Sequence, residues 1–167
     1  MAIKITFLGA GSSVFVRNVL GDCIIHPELE DLTFALYDID AQRLEDSYLM
    51  LHAICAHYGK SVKMEKYVGV EELPQALTGA NFLICAIQVG GYDPCTISDF
   101  EIPKKYGLRQ TIADTLGVGG VFRALRPIPV MEMFGKMAEK YCPNAVFLNY
   151  SNPMGMLSGY MERYCNV

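Results

Sequence analysis

Apolar positions along this chain follow two periods. The run Ile3–Leu8 is almost wholly apolar or β-branched and stops at a glycine, the pattern of a buried strand. Segments 32–37, Lys63–Val68, 81–87 and 145–149 read as further strands. The stretch 81–87 is apolar without a break, as expected of a strand covered on both faces. Between the strands, apolar residues recur at three- and four-residue steps, which predicts amphipathic helices. The first spans 14–24, with Phe15, Val19, Leu20, Cys23 and Ile24 on an inward stripe. The second, Ala41–Tyr58, carries Leu44, Tyr48, Leu51 and Cys55 inward, and Gly59 stops it. A short helix is expected at 70–77 before Gly79, and a long one at 121–141. Pro127 and Pro129 remove two donors from that last helix and should kink or interrupt it. Strands alternating with helices predict an α/β fold, a doubly wound parallel sheet with right-handed crossovers.

The end of the first strand carries the first candidate chemistry. Gly9-Ala10-Gly11-Ser12-Ser13 follows Leu8 directly and opens a helix. Gly9 suits a tight turn, and Gly11 lets backbone amides approach a pyrophosphate. Ser12 or Ser13 is placed to cap the helix, whose N-terminal dipole favours an anion. The G-x-G-x-x-G pattern is incomplete, because Val14 stands at the third glycine's place. Support comes from Asp38, which ends the second strand one helix later. An acid there accepts hydrogen bonds from the adenosine ribose of a dinucleotide. The plainer alternative makes Asp38 a helix cap.

The segment 88–120 resembles a scaffold least and reads as a long loop. It leaves the carboxyl end of a core strand, where open α/β sheets bind ligands. Gln88, Gly90 and Gly91 are candidates to lie along a cofactor. Gly117, Gly119 and Gly120 precede the predicted helix and offer a second anion-binding helix start. Arg123 and Arg126 follow, either to orient a substrate or partner subunit or to sit on a solvated face. The strand at 145–149 ends in Asn149-Tyr150-Ser151-Asn152-Pro153. Its two amides and two hydroxyls suit sugar hydroxyls or a carboxamide, or merely cap the last helix.

Length, charge and cysteine usage narrow the class. The 167 residues suffice for one domain with a substantial core. A formal net charge of -4 offers no basic face, which argues against nucleic acid and anionic membrane as partners. None of the 6 cysteines forms a C-x-x-C pair, so the expectation is reduced core thiols in a cytoplasmic protein. His26, His52 and His57 form no ligand pair and read as structural. No secretory leader and no membrane-length apolar run is expected.

Together these residues resemble glycoside hydrolase family 4, the NAD- and Mn²⁺-dependent glycosidases. The matching segments are Phe7-Leu8-Gly9-Ala10-Gly11-Ser12, Asp38-Ile39-Asp40, Gly90-Gly91, Ala113-Asp114-Thr115-Leu116-Gly117 with Gly119-Gly120, and Leu148-Asn149-Tyr150-Ser151-Asn152-Pro153. The segments Gly91-Tyr92-Asp93-Pro94-Cys95-Thr96 and 110–116 resemble the α-galactosidase branch most.

The resemblance implies a Rossmann-type domain over 1–167, like that of lactate and malate dehydrogenases. It also implies a carboxy-terminal metal and catalytic domain outside this chain, and a homo-oligomer when complete. The implied activity cleaves a small-molecule glycoside by C3 oxidation, elimination, water addition and re-reduction, an exception to the two-carboxylate scheme. It assigns the pyrophosphate to Gly9, Gly11, Ser12 and Ser13, and the ribose to Asp38. Gln88, Gly90 and Gly91 take the cofactor's middle, Asn149 its nicotinamide end, Asn152 the sugar, and Asp114 substrate contact or proton transfer. No metal ligand is assigned here; the Mn²⁺ ligands belong to downstream motifs, so the segment alone should be inactive. Two alternatives stay open. One is a 2-hydroxy-acid dehydrogenase, disfavoured by the lack of any histidine after His57. The other is a non-enzymatic NAD-sensing module.

Overall fold

The computed structural model describes residues 2–112 and 115–167. Five parallel strands form one sheet in the order β3-β2-β1-β4-β5. They are β1 Ile3–Leu8, β2 Leu32–Asp38, β3 Lys63–Val68, β4 Phe82–Cys85 and β5 Val146–Asn149. The chain winds outward from β1 through β2 to β3, then returns to lay β4 on the other flank of β1. The carboxyl ends of β1 and β4 therefore flank the point where strand order reverses, the ordinary ligand crevice of open α/β sheets.

Both faces of the sheet are covered, as the unbroken apolar strands predict. Ile5 and Phe7 of β1 pack with Phe34, Leu36 and Ile84 under α1 (Ser13–Ile25) and α2 (Ala41–Tyr58). Leu8, Leu83 and Cys85 face the other way, under α3 (Leu73–Leu77), α6 (Ile128–Tyr141) and α7 (Met154–Tyr164). Each fully buried side chain of this size stabilises the fold by about 1.5–3 kcal/mol. Thr6 lies on that second face, fully buried, and its hydroxyl donates to Ala76 O at 2.7 Å. β5 is an edge strand, and Val146 and Leu148 are exposed on its α1-side face.

Two helix faces are rotated from the predicted stripes. On α1 the buried set is Val16, Leu20, Gly21 and Ile24, whereas Phe15 is exposed and meets Tyr150 edge-on. On α2 it is Leu44, Ser47, Leu51 and Cys55, with Tyr48 half-buried. Asp40 caps α2 by accepting from Gln42 N at 3.0 Å and Arg43 N at 3.1 Å, a contribution of about 1 kcal/mol. The cap is thus Asp40 and not Asp38.

The predicted loop 88–120 is largely helical. It holds an irregular π-type turn at Gly91–Thr96, then α4 (Ile97–Lys105), and α5 begins at Gly117 and runs to Leu125. The signal for α4 was faint because Pro94 precedes and Pro103 lies inside a nine-residue helix whose anchor is polar: Asp99 is 1% exposed. The expected interruption by proline occurs. α5 stops at Leu125, Pro127 caps α6 and Pro129 occupies its first turn, where a missing N–H costs nothing.

All six cysteines are unpaired. Cys85 is fully buried, 3.4 Å from the Met131 sulfur, and burial pushes its thiol up to about 12. A raised thiol pKa favours folding below the free thiol value, and that contribution fades as pH climbs from about 9 toward 12. In the native chain at pH 8, iodoacetamide will label Cys85 at least about a hundredfold more slowly than after denaturation. Mass spectrometry of peptides checks this, and equal labelling would place Cys85 outside the core. No helix of the described residues is long and apolar enough to cross a membrane.

Candidate dinucleotide and sugar site

β1 hands the chain to α1 through a turn that only small residues permit. Gly9 has φ +91°, and a Cβ there would sit 2.5 Å from the O of Ala86, the residue just past β4. The Gly9 and Ala10 amides both donate to Tyr37 O at 2.9 Å, which closes the turn against β2. Gly11 is required for a different reason than its sequence position implies. A Cβ on it would meet Asp38 Oδ2 at 2.8 Å and Arg43 Cβ at 3.0 Å, so its absent side chain makes room for the acid as well as for any ligand.

Asp38 comes to the glycine turn from β2. Its Oδ2 accepts from Gly11 N at 2.6 Å and its Oδ1 from Asp40 N at 3.0 Å. Two backbone donors therefore orient the carboxylate while each oxygen keeps a further lone pair. The Gly11 amide is engaged by this bond, and Ser12 N donates to Gly9 O at 3.1 Å. Among the described residues, the amides with no internal acceptor are the next three, of Ser13, Val14 and Phe15, at the start of α1. Ser12 occupies the N-cap position, but its side chain accepts no capping bond. An anion at this helix start would meet free N–H groups and the positive end of the helix dipole.

β4 ends beside the turn and leads to Gln88 and the Gly90-Gly91 pair. Gly90 has φ +91°, and a Cβ there would strike the Cys95 sulfur; its role is internal packing of the Gly91–Thr96 turn. Gln88, Tyr92, Thr96, Phe100, Ile112 and Arg123 line a cavity of about 340 Å³, within the range of small-ligand sites. The Thr96 hydroxyl accepts from Arg123 Nη1 at 3.2 Å and from Gln88 Nε2 at 3.4 Å, and lies 3.3 Å from Gly91 O.

The two arginines of α5 and its end have separate fates. Arg126 grips Asp99 of α4 with both terminal nitrogens, Nη1 at 3.0 Å from Oδ1 and Nη2 on Oδ2. That carboxylate, first through its hydrogen bond, raises the guanidinium pKa above its usual value. Arg123 is 9% exposed, and among the described residues its hydrogen bond goes to Thr96. Neither sits on a solvated face.

The glycines before the predicted long helix lie inside α5, and the expected second anion-binding start does not form as drawn. Gln110 occupies it: Oε1 accepts from Gly119 N at 2.9 Å and Nε2 donates to Leu116 O at 3.4 Å. Asn149 is similarly engaged. Its Nδ2 donates to Ser158 Oγ at 3.0 Å, and its Oδ1 accepts from Ser151 N at 2.8 Å. The side chain shapes the β5–α7 turn, with one lone pair of its carbonyl left over. Ser151, 2% exposed, ties that turn to β4 and the residues after it, donating to Cys85 O at 3.4 Å and accepting from Ile87 N at 3.0 Å. Asn152 is exposed beside it and precedes a cis proline. Asp114 lies outside the described residues.

Sequence reasoning passed over Asp99, Gln110, Thr96 and the bonding of Ser151. None has a spacing signal, because each acts on residues from another element.

Parallel strands in this order, a glycine turn after β1 and an acid at the end of β2 define a Rossmann-type nucleotide-binding half. The chain itself matches the model for Family 4 glycosyl hydrolase over residues 4–167, and it belongs to that family. It is 55% identical over 164 residues to an α-galactosidase of Bacillus subtilis (strain 168), covering 98% of this chain and 37% of that protein. It is 35% identical to an α-galacturonidase of Thermoanaerobacter italicus, covering 92% of this chain and 32% of the relative. Among solved structures, a 6-phospho-β-glucosidase from Thermotoga maritima with NAD and glucose-6-phosphate superposes with a TM-score of 0.84 at 25% identity, over 98% of this chain and 37% of that one. The chain thus spans about a third of the length of the relatives it matches.

Proposed function

We propose that this chain is the N-terminal, NAD-binding part of a family 4 glycosidase acting on a small α-galactoside. The observation that carries the reading is the trio of free amides at Ser13, Val14 and Phe15 beside the held carboxylate of Asp38. The residues fit the cofactor: the missing Cβ atoms at Gly9 and Gly11 leave the turn closed on itself, and the helix start faces outward with unspent donors. Bound NAD would supply reversible hydride transfer at a sugar carbon.

The residues of this chain bind and align. Gly9, Gly11, Ser12 and Ser13 form the turn that receives the pyrophosphate, with the helix amides as donors. Asp38 accepts from the adenosine ribose hydroxyls. Gln88, Gly90 and Gly91 border the cofactor's middle, and Gln88 also lines the 340 Å³ cavity, which supports a sugar site next to it. Asn149 orients the nicotinamide end through its turn, Asn152 offers an exposed amide to the sugar, and Asp114 is the candidate for substrate contact or proton transfer. Among the described residues no group of three or more His, Cys, Asp or Glu side chains gathers to hold a metal ion; the manganese of the family resemblance has no ligand set among them. A cytoplasmic location and a homo-oligomer of the complete protein belong to this same reading.

A ligand that binds only the folded chain raises its melting temperature. NAD⁺ at millimolar concentration is expected to do so here, and Asp38→Ala to weaken that binding about tenfold or more. Calorimetric titration checks both, with melting in the absence of NAD⁺ to separate lost stability from lost affinity. No stabilisation of the unmodified chain, or an Asp38→Ala affinity equal to the original, would refute the assignment.

A further inference from the structure

We propose that the rings of Phe15 and Tyr150 form the platform on which the nicotinamide of bound NAD⁺ lies. The inference rests on the reading of this chain as an NAD-binding part, and extends it to the half of the cofactor that takes part in the chemistry.

The direction of the cofactor follows from the sheet. Asp38 ends β2, and β4 and β5 lie on the opposite flank of β1. The amides of Ser13, Val14 and Phe15 stand between them, where β1 passes into α1. With the adenosine ribose on Asp38 and the diphosphate on those amides, the second half of the dinucleotide runs over the carboxyl ends of β4 and β5. A strand spacing of about 4.8 Å makes the span from β2 to β5 about 14 Å, within the reach of an extended dinucleotide.

Two aromatic side chains meet along that path. Phe15 sits in the first turn of α1, and Tyr150 is the residue after β5. Their ring centroids are 6.1 Å apart at an interplanar angle of 67°. The contact is edge to face, so ring faces stay open. Phe15 remains 44% exposed and Tyr150 48%. Both are held from below. Tyr150 N donates to Cys85 O at 2.8 Å, which ties it to the end of β4. Asn149 and Ser151 on either side are fixed by their own side-chain bonds. Val16 and Leu20, both fully buried, anchor the helix that carries Phe15.

Half-exposed rings gathered at a crevice offer apolar surface for a ligand to cover. Nicotinamide is a flat heteroaromatic ring and stacks on aromatic side chains as nucleic-acid bases do. In NAD⁺ that ring also carries a positive charge, which the negative face of an aromatic ring attracts. Adenine does not compete for the pair, because Asp38 keeps its ribose on the other flank of β1.

The test compares NAD⁺ with ADP-ribose, which keeps the adenosine, the diphosphate and the second ribose and lacks the nicotinamide. Calorimetric titration of the whole chain is expected to show NAD⁺ binding about fivefold or more tightly than ADP-ribose. Phe15→Ala and Tyr150→Ala should each remove most of that advantage and leave the ADP-ribose affinity unchanged. Tyr150→Phe should keep the advantage, because a ring face remains. In the unmodified chain, proton cross-relaxation should connect the nicotinamide with the rings of Phe15 and Tyr150, a readout that needs no variant to fold. Equal affinity of the unmodified chain for the two ligands, or an advantage that survives both alanine changes, would overturn the proposal. So would a parallel loss for both ligands, which would make the rings a support of the helix start alone, or nicotinamide protons that touch neither ring. If ADP-ribose binds while these outcomes occur, only the platform falls; if neither ligand binds, the cofactor reading falls with it.

Discussion

Asp99→Ala will lower the stability of this chain by about 3 kcal/mol, a substantial fraction of a typical margin. The carboxylate is 2% exposed and its partner guanidinium 25% exposed. Removing the acid strands Arg126 with three unsatisfied donor positions against α4, where its Nε already lacks a partner. The loss is therefore that of an uncompensated, largely buried charge and exceeds what an exposed pair is worth. For a chain of this length the melting temperature should fall by roughly 6–12 °C. Urea unfolding with an unchanged slope and a lower midpoint checks the energy. The double change Asp99→Leu with Arg126→Met should recover most of it, because a well-packed apolar pair replaces the ions without their desolvation. A loss under about 1 kcal/mol would place the pair with surface salt bridges and remove the account of α4.

The second large effect is expected at Gly9. Gly9→Ala combines a left-handed backbone with a collision, the new Cβ lying 2.5 Å from the carbonyl oxygen of Ala86. Positive φ alone costs a non-glycine residue about 1 kcal/mol or more. Gly59→Ala, at φ +62° with nothing within 4 Å of the new atom, measures that part by itself. Gly9→Ala should cost at least about 2 kcal/mol more than Gly59→Ala, because the Ala86 carbonyl and turn backbone have no flexible end to yield. The same displacement moves the Ser13, Val14 and Phe15 amides, so NAD⁺ affinity should drop with stability in Gly9→Ala and stay unchanged in Gly59→Ala. Equal melting temperatures for the two variants would show that the turn relaxes, and with it that its shape is not demanded by β4.

The parts of the site that were legible before any coordinates share one property: they act within a strand–turn–helix unit. Gly9, Asp38 and the start of α1 belong to a continuous stretch whose spacing reports where two strand ends meet. The central strands were legible because a sheet covered on both faces demands apolar residues along most of its length. What resisted reading crosses between elements. The helix at Ile97–Lys105 has a proline before it, another inside it and a buried acid for its anchor, so periodicity alone marks it as a loop. Gln110 closing the start of α5, and Asn149 locking the turn after β5, depend on which side chain arrives from elsewhere. Phe15 reads as core on a helical wheel, yet α1 turns Val16 inward. A wheel reports only relative angles, and the packing partner selects the absolute one.

The sequence by itself determined the parallel doubly wound sheet, the glycine turn at its centre and the acid beside it, because these follow from local periodicity and from where glycine and aspartate must stand. Only the tertiary structure decided that Asp40 rather than Asp38 caps α2, that Gly11 yields its space to Asp38, and that Arg126 meets the buried carboxylate of Asp99. Those outcomes turn on distances between groups remote in sequence, and a charge buried with or without its partner differs in the third dimension alone.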